Sequence, residues 1–253
     1  MSPNDEFLSK LREGYELTIE QNGNEIKAVT KRIEKMKFWK RISISFQITV
    51  PHQMSSNLKT SGGGIKIVDM EGTQKLVTSG GGLKIHRITG VVYGKTSGGG
   101  IKVEDNHGEI DVSTSGGGIT IANSAGNIKA HTSGGGIKLE NIKGNAEAST
   151  SGGSITLNGE MNNVTARTSG GGIKANITGV KEKLHLKTSG GSIRANIPSN
   201  IGMNLDLKGN HVNIDLKNFD GSAKKNQVNG TMNGGGIPVY MHTSGGGVSV
   251  EFQ

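Results

Sequence analysis

Cysteine is absent from the 253 residues, which excludes disulfides and thiolate metal sites. Aromatic residues make up only 4% of the chain, too few for the stacking platforms of single-strand nucleic-acid binders. No run approaches the ~18 apolar residues of a membrane helix, and nothing at the start resembles a signal peptide. Large apolar side chains are also scarce. The hydrophobic share is 32%, but 42 glycines stand beside it, and counting them restores an ordinary total. Glycine has displaced bulky side chains and helix formers, as suits a narrow core continuous along an axis. The net charge of +8 admits anionic partners and bears on solubility and association, not on fold.

What the chain does have is a ruler. Thr-Ser-Gly-Gly begins at Thr60, Thr78, Thr96, Thr114, Thr132, Thr150 and Thr168, always eighteen residues apart. It returns at Thr188 after twenty residues and at Thr243 after a longer step, with a degenerate copy at Asn233-Gly234-Gly235-Gly236. Such a period, with no helical pattern inside it, is one supersecondary unit stacked many times.

Aligning the repeats on threonine resolves one rung. Five residues after it stand Ile65, Leu83, Ile101, Ile119, Ile137, Ile155, Ile173 and Ile193, and seven after it Ile67, Ile85, Val103, Ile121, Leu139, Leu157, Ala175 and Ala195. Between these columns lie Lys66, Lys84, Lys102, Thr120, Lys138, Thr156, Lys174 and Arg194. Apolar, polar, apolar is a strand with one buried face. A second strand leads to the next threonine through Val92, Ile110, Ile128, Ala146 and Val164, then Leu76, Val112, Ala130, Ala148 and Ala166. Gly72, Gly90, Gly108, Gly126 and Gly144 sit between the two as turn residues that permit positive φ.

Each rung thus reads strand, turn, strand, glycine corner, with equivalent strands paired in parallel. Right-handed winding is the default for such connections, so the expected fold is an all-β, right-handed parallel β-solenoid. The first two corner glycines never vary, whereas Ser154 and Ser192 occupy the third position. Positive φ is therefore expected at the first two. By parity the threonines point inward, where a hydroxyl can satisfy buried corner backbone, and the serines point outward.

The ends need covering. Ser2-Pro3-Asn4-Asp5-Glu6 reads as a helix start, with a short helix through about Leu11. Tyr15–Glu20 and Glu25–Thr30 read as strands around a hairpin signal at Asn22-Gly23. Ile42, Ile44, Phe46, Ile48 and Val50 alternate as a further strand. After Leu216 the repeat loosens through Asn218-Phe219-Asp220-Gly221 and a basic loop at Lys224-Lys225, before Val248, Val250 and Phe252 alternate into a last strand. The expectation is one elongated domain, 1–253: an N-terminal cap over 1–57, the regular solenoid over 58–197 and irregular rungs over 198–253.

Three stretches carry a resemblance: the TSGGGIK repeats, SISFQITVP at 43–51 and GTMNGGGIPVYMHTSGGGVSVEF at 230–252. Through them nearly the whole chain resembles the adhesin-type β-strand-repeat family of bacterial cell-envelope proteins, largely domains of unknown function. The resemblance implies a β-solenoid, export to the cell envelope or surface, and no established catalytic residues. Members usually carry a signal peptide and upstream sequence, so it also implies a trimmed or mature form here.

For chemistry, the basic columns come first. Lys66, Lys84, Lys102, Lys138, Lys174 and Arg194 are expected on one face; Lys59, Lys95, Arg167 and Lys187, one residue before each threonine, across the glycine corner. Together they could line an anionic polysaccharide or other envelope polymer. The plainer account is a solvated face that resists aggregation. A polysaccharide-active enzyme is the alternative, and its densest candidate set is Glu104, Asp105, His107, Glu109 and Asp111. Matching turns in the next rungs, Asn123-Ser124-Ala125 and Asn141-Ile142-Lys143, do not repeat it.

The seven histidines lack metal-ligand spacing, and no aspartate column of a calcium β-roll exists. The glycine corner lacks the Lys-Ser/Thr of a phosphate loop. An ice-binding threonine ladder is disfavoured because those side chains point inward. No recognition helix or nucleic-acid motif is present. The sequence therefore reads as a non-catalytic envelope scaffold or adhesin, needing no cofactor or metal, with self-association left open.

Overall fold

The computed structural model describes residues 14–33 and 44–253. The chain divides into two compact units, Met1–Gln47 and Ile48–Gln253. The helix expected through Leu11 lies outside the described residues.

In the first unit, β1 (Tyr15–Asn22) and β2 (Glu25–Arg32) form an antiparallel hairpin, paired from Tyr15↔Arg32 to Asn22↔Glu25. The loop is Gly23-Asn24, one residue later than the Asn-Gly signal suggests. Its first central position requires the positive φ that Gly23 supplies (+57°).

The second unit is the solenoid. It opens with β3 (Ser56–Thr60), β4 (Ile65–Thr78), β5 (Leu83–Thr96), β6 (Ile101–Glu104), β7 (His107–Thr114), β8 (Ile119–Thr132), β9 (Ile137–Thr150) and β10 (Ile155–Thr168). Then come β11 (Ile173–Gly179), β12 (Lys183–Thr188) and β13 (Ile193–Ile197). Each coil pairs in parallel with the next, Ile65↔Leu83↔Ile101↔Ile119↔Ile137↔Ile155↔Ile173↔Ile193. Both five-after and seven-after columns are buried at 8% exposure or less, and the columns of the second strand are buried with them. One narrow core therefore runs along the stack, as alternation demands.

Strand, turn and strand merge in most rungs into a single bent strand. The bend is made by Asp69, Arg87, Asp105, Asn123 and Asn141, all left-handed (φ 48–59°), with the expected glycine three residues on. Gly90, at φ +123°, shows why the glycine is needed. In one rung the strand breaks into β6 and β7, where Asn106 takes an inward position and its Oδ1 accepts the Ile88 N–H at 2.6 Å.

The glycine corner corrects one expectation. No glycine of the Thr-Ser-Gly corners lies in the left-handed region. The second of them is demanded by contact instead. A Cβ on Gly99 would overlap the carbonyl of Gly81 one coil away, whereas on Gly100 it would stand 3.2 Å from the Gly118 oxygen. That difference explains why serine appears only at the third position.

The threonine hydroxyls do point inward. Thr96 Oγ1 donates to the Gly81 carbonyl at 2.7 Å and accepts from the Gly99 N–H at 3.3 Å. The same pair of bonds recurs at Thr78, Thr114, Thr132, Thr150, Thr168, Thr188 and Thr243.

One expectation about the ends fails. Over residues 44–50 no strand forms, and Ile44, Phe46 and Ile48 are 39–53% exposed. Alternation makes a strand only where an edge is there to pair, and here pairing starts at the Gln53↔Glu71 bridge. His52–Thr60 covers the first coil instead, with Val50, Met54 and Leu58 packed on the core.

The C-terminal end departs further from sequential rungs. It comprises β14 (Met203–Lys208), β15 (Val212–Ile214), β16 (Phe219–Lys224), β17 (Gln227–Met232), β18 (Ile237–Thr243) and β19 (Val248–Phe252). The pair β18–β19 stacks directly on β12–β13, and β14–β15 lies beyond it. The last strands of the chain are thus inserted between earlier ones. Strand β17 then closes the outer edge of β14 antiparallel, with β16 paired to its far side.

Candidate functional site: the basic columns and the depression beside them

Register places Lys66, Lys84, Lys102, Thr120, Lys138, Thr156, Lys174 and Arg194 in one outward column, its basic members exposed and its two threonines half-buried. The column is not uniform. Lys102 pairs with Glu104 at 2.8 Å and Lys138 with Glu140 at 2.7 Å, exposed pairs worth about 0–1 kcal/mol each. Lys66, Lys84, Lys174 and Arg194 face solvent.

The second set occupies the other strand leading to the corner. Its column runs Lys59, Val77, Lys95, Ser113, His131, Ser149, Arg167, Lys187 and His242. Lys59 and Lys95 are separated by Val77, whereas Arg167 and Lys187 are neighbours. The ten basic residues therefore form two separate columns; the pair Arg167–Lys187 borders one concavity, and Lys187 also borders a second, with Lys208 and His242.

The first concavity is an open depression of about 450 Å³, lined among others by His131, Ser149, Arg167, His185, Lys187 and Tyr240. His185 and Tyr240 are register partners on adjacent coils, with ring centroids 4.3 Å apart. Tyr240 meets His242 at 3.7 Å, and His242 Nε2 lies 2.9 Å from Asp206 Oδ1 on β14. Burial lowers the His185 pKa below its usual value, and Arg167, Lys183, Lys187 and His242 push it the same way. Burial and the Asp206 charge raise that of the Tyr240 phenol.

Sequence reasoning missed His185, Tyr240, His242 and Asp206 because the ruler breaks between Thr188 and Thr243. The signal was there: His185 and Tyr240 each stand three residues before their threonine, Lys187 and His242 one before.

The acidic set Glu104, Asp105, His107, Glu109 and Asp111 is dispersed. Glu104 pairs with Lys102, while Asp105 takes His86 at 2.8 Å on the left-handed bend. Hydrogen bonds from His86 and then Asn123 hold the Asp105 carboxyl below the usual range. Glu109 and Asp111 are exposed farther along β7. On the neighbouring bend Arg87 makes a two-pronged contact with Asp69, whose pKa is lowered chiefly by that hydrogen bonding. Among the described residues no three His, Cys, Asp or Glu are grouped to hold a metal ion, and no helix is long and apolar enough to cross a membrane.

Parallel coils around one core, with an inward threonine and a glycine corner in each, define a β-solenoid repeat protein. The chain belongs to the Toastrack DUF4097 family, whose model matches residues 87–251, more than half its length. No curated protein and no solved structure matches it.

Proposed function

We propose that this solenoid is a non-catalytic scaffold or adhesive surface of the bacterial cell envelope that holds anionic polymers along its basic columns. The observation that carries the reading is the register Lys66↔Lys84↔Lys102, one cation per coil on a rigid ladder. Strand spacing of ~4.8 Å repeats the charge at a short, fixed interval. Each contact is weak alone, and affinity arises from many made at once. Export to the envelope rests on the family resemblance of the repeat and C-terminal segments. The non-catalytic part is supported by the dispersal of the Glu104–Asp111 carboxylates, two of which are engaged by basic partners.

The test is binding of the purified protein to acidic and neutral envelope polysaccharides across a salt series, with the Lys66→Glu, Lys84→Glu, Lys102→Glu triple variant alongside. Salt-sensitive binding of the acidic polymers that the variant loses is the expected result. Binding indifferent to salt and to the variant overturns the polyanion reading. Release of new polymer ends during incubation would replace the scaffold with a polysaccharide-active enzyme.

A further inference from the structure

The two basic columns differ in one respect that charge counting hides. Along most of their length the cations stand exposed on the strand faces. At Arg167 and Lys187 they flank a depression whose other polar walls are hydroxyls and imidazoles. Asp206, the register partner of Tyr240 on the coil beyond it, is already engaged by His242. Meanwhile Nε2 of His185, on the wall, is buried with no partner among the described residues. That atom is sealed from solvent and out of reach of a ligand in the open depression; what the walls offer a ligand is the charge of Arg167 and Lys187 and the corner hydroxyls.

We propose that this depression binds an oxyanion group, a phosphodiester or a carboxylate, of the acidic polymer that the scaffold holds. The inference rests on the polyanion reading and specifies where on the solenoid a single charged group is gripped. Arg167 offers a planar fork of N–H donors suited to two oxygens of one anion. Lys187, in register beside it, adds a second charge from the next coil, and the Ser169 and Ser189 hydroxyls at the corner supply neutral donors.

The groups facing His185 point the same way. Arg167 comes from β10, Lys183 and Lys187 from its own strand, and Tyr240 and His242 from β18. Glu147 lies one coil beyond Thr165, the register partner of His185. This largely cationic surround disfavours protonation of the imidazole. A bound anion offsets that repulsion, so binding is accompanied by proton uptake and strengthens as pH falls.

The site exists only because β18 is inserted on β12. That insertion brings Tyr240 beside His185 and closes the C-terminal side of the depression.

The experiment is a titration of the intact protein with inorganic phosphate, followed through the ring resonances of His185. The Arg167→Gln, Lys187→Gln double variant and the Lys66→Gln, Lys84→Gln, Lys102→Gln triple variant are compared with it. The expected result is a saturable shift, a higher His185 titration midpoint with phosphate, and binding about tenfold weaker in the double variant but unchanged in the triple. Both variants change exposed side chains, and an unaltered melting temperature confirms that each is folded.

Oligomers of glycerol phosphate and of galacturonate then separate the two oxyanion sources: tighter binding of one than of phosphate, again lost in the double variant, identifies it. A response that never saturates, or that is the same in the double variant, overturns the site. So does failure of both oligomers to exceed phosphate. Acidic-polymer binding that survives intact in the double variant and disappears in the triple removes this site and leaves the ladder reading standing.

Discussion

Thr243 lies in register on Thr188 and donates its hydroxyl to the Gly191 carbonyl at 2.6 Å. It is the bond each corner threonine from Thr78 to Thr188 makes with the coil before it. The long step between the last two copies of the motif is therefore a single step in space. Everything between β13 and β18 forms the outermost coil and its hairpin cover.

Replacing residues 199–235 with a short Gly/Ser linker removes that outer layer while keeping β18–β19 on β12–β13. The core should remain folded, but the outer edges of β18 and β19 lose β14 and β15 and present unpaired backbone. Sedimentation should show concentration-dependent association of the variant and not of the parent. A variant that stays monomeric with an unchanged melting temperature would count against a covering role for this segment.

At the glycine corner two neighbouring positions should answer oppositely. Gly117→Ala puts a methyl group into the Gly99 carbonyl of the adjacent coil, and its cost should reach or exceed the ~1–3 kcal/mol of an overpacked core. Gly118→Ser imitates Ser154 and should cost under about 1 kcal/mol. Chemical denaturation of the two variants measures the difference; equal losses would contradict the contact argument.

Thr132→Val keeps shape and removes the hydroxyl that bridges the Gly117 carbonyl at 2.8 Å and the Gly135 N–H at 3.4 Å. Leaving buried backbone unpaired should cost about 1–3 kcal/mol, read from the denaturation midpoint. Thr132→Ser retains the hydroxyl and should recover most of the loss.

His185 should titrate below the usual ~6.5 of histidine, because burial and then Arg167 disfavour its charged form. Below pH ~6.5 the unfolded chain binds the proton more readily than the folded one, so this contribution to stability is complete above that pH. It falls away as pH drops towards the folded pKa and changes no further beneath it. Melting temperature measured from pH 7.5 to 5 should decline less steeply in His185→Gln than in the parent. Ring NMR should place the midpoint below 6.5 and show it rising in Arg167→Gln.

The repeated part of the fold was legible because each inward column reports the same environment again and again. Ile101 between Leu83 and Ile119 admits one register. The inward threonines followed from parity alone. The reason for the corner glycines did not, because overlap between Gly99 and Gly81 arises only between coils, and no local pattern encodes the approach. The Ile44–Ile48 alternation misled since a strand needs an edge, which the segment's own residues do not supply. Both basic columns could be read from spacing, whereas the depression beside Arg167 could not. Half of its aromatic wall arrives from beyond a break in the ruler.

The inserted coil also sets an order in time. From β4 through β10 each coil pairs with one already made, so these coils can accumulate as the chain emerges, through contacts of modest sequence separation. The far end cannot follow that schedule. Strand β14 emerges before β18 yet reaches the stack through it, so β14–β15 and their hairpin must wait beside an unfinished edge until the final residues arrive. Completion of this end is therefore a late closing event, and a chain stopped just short of β18 carries its covering layer with nowhere to dock.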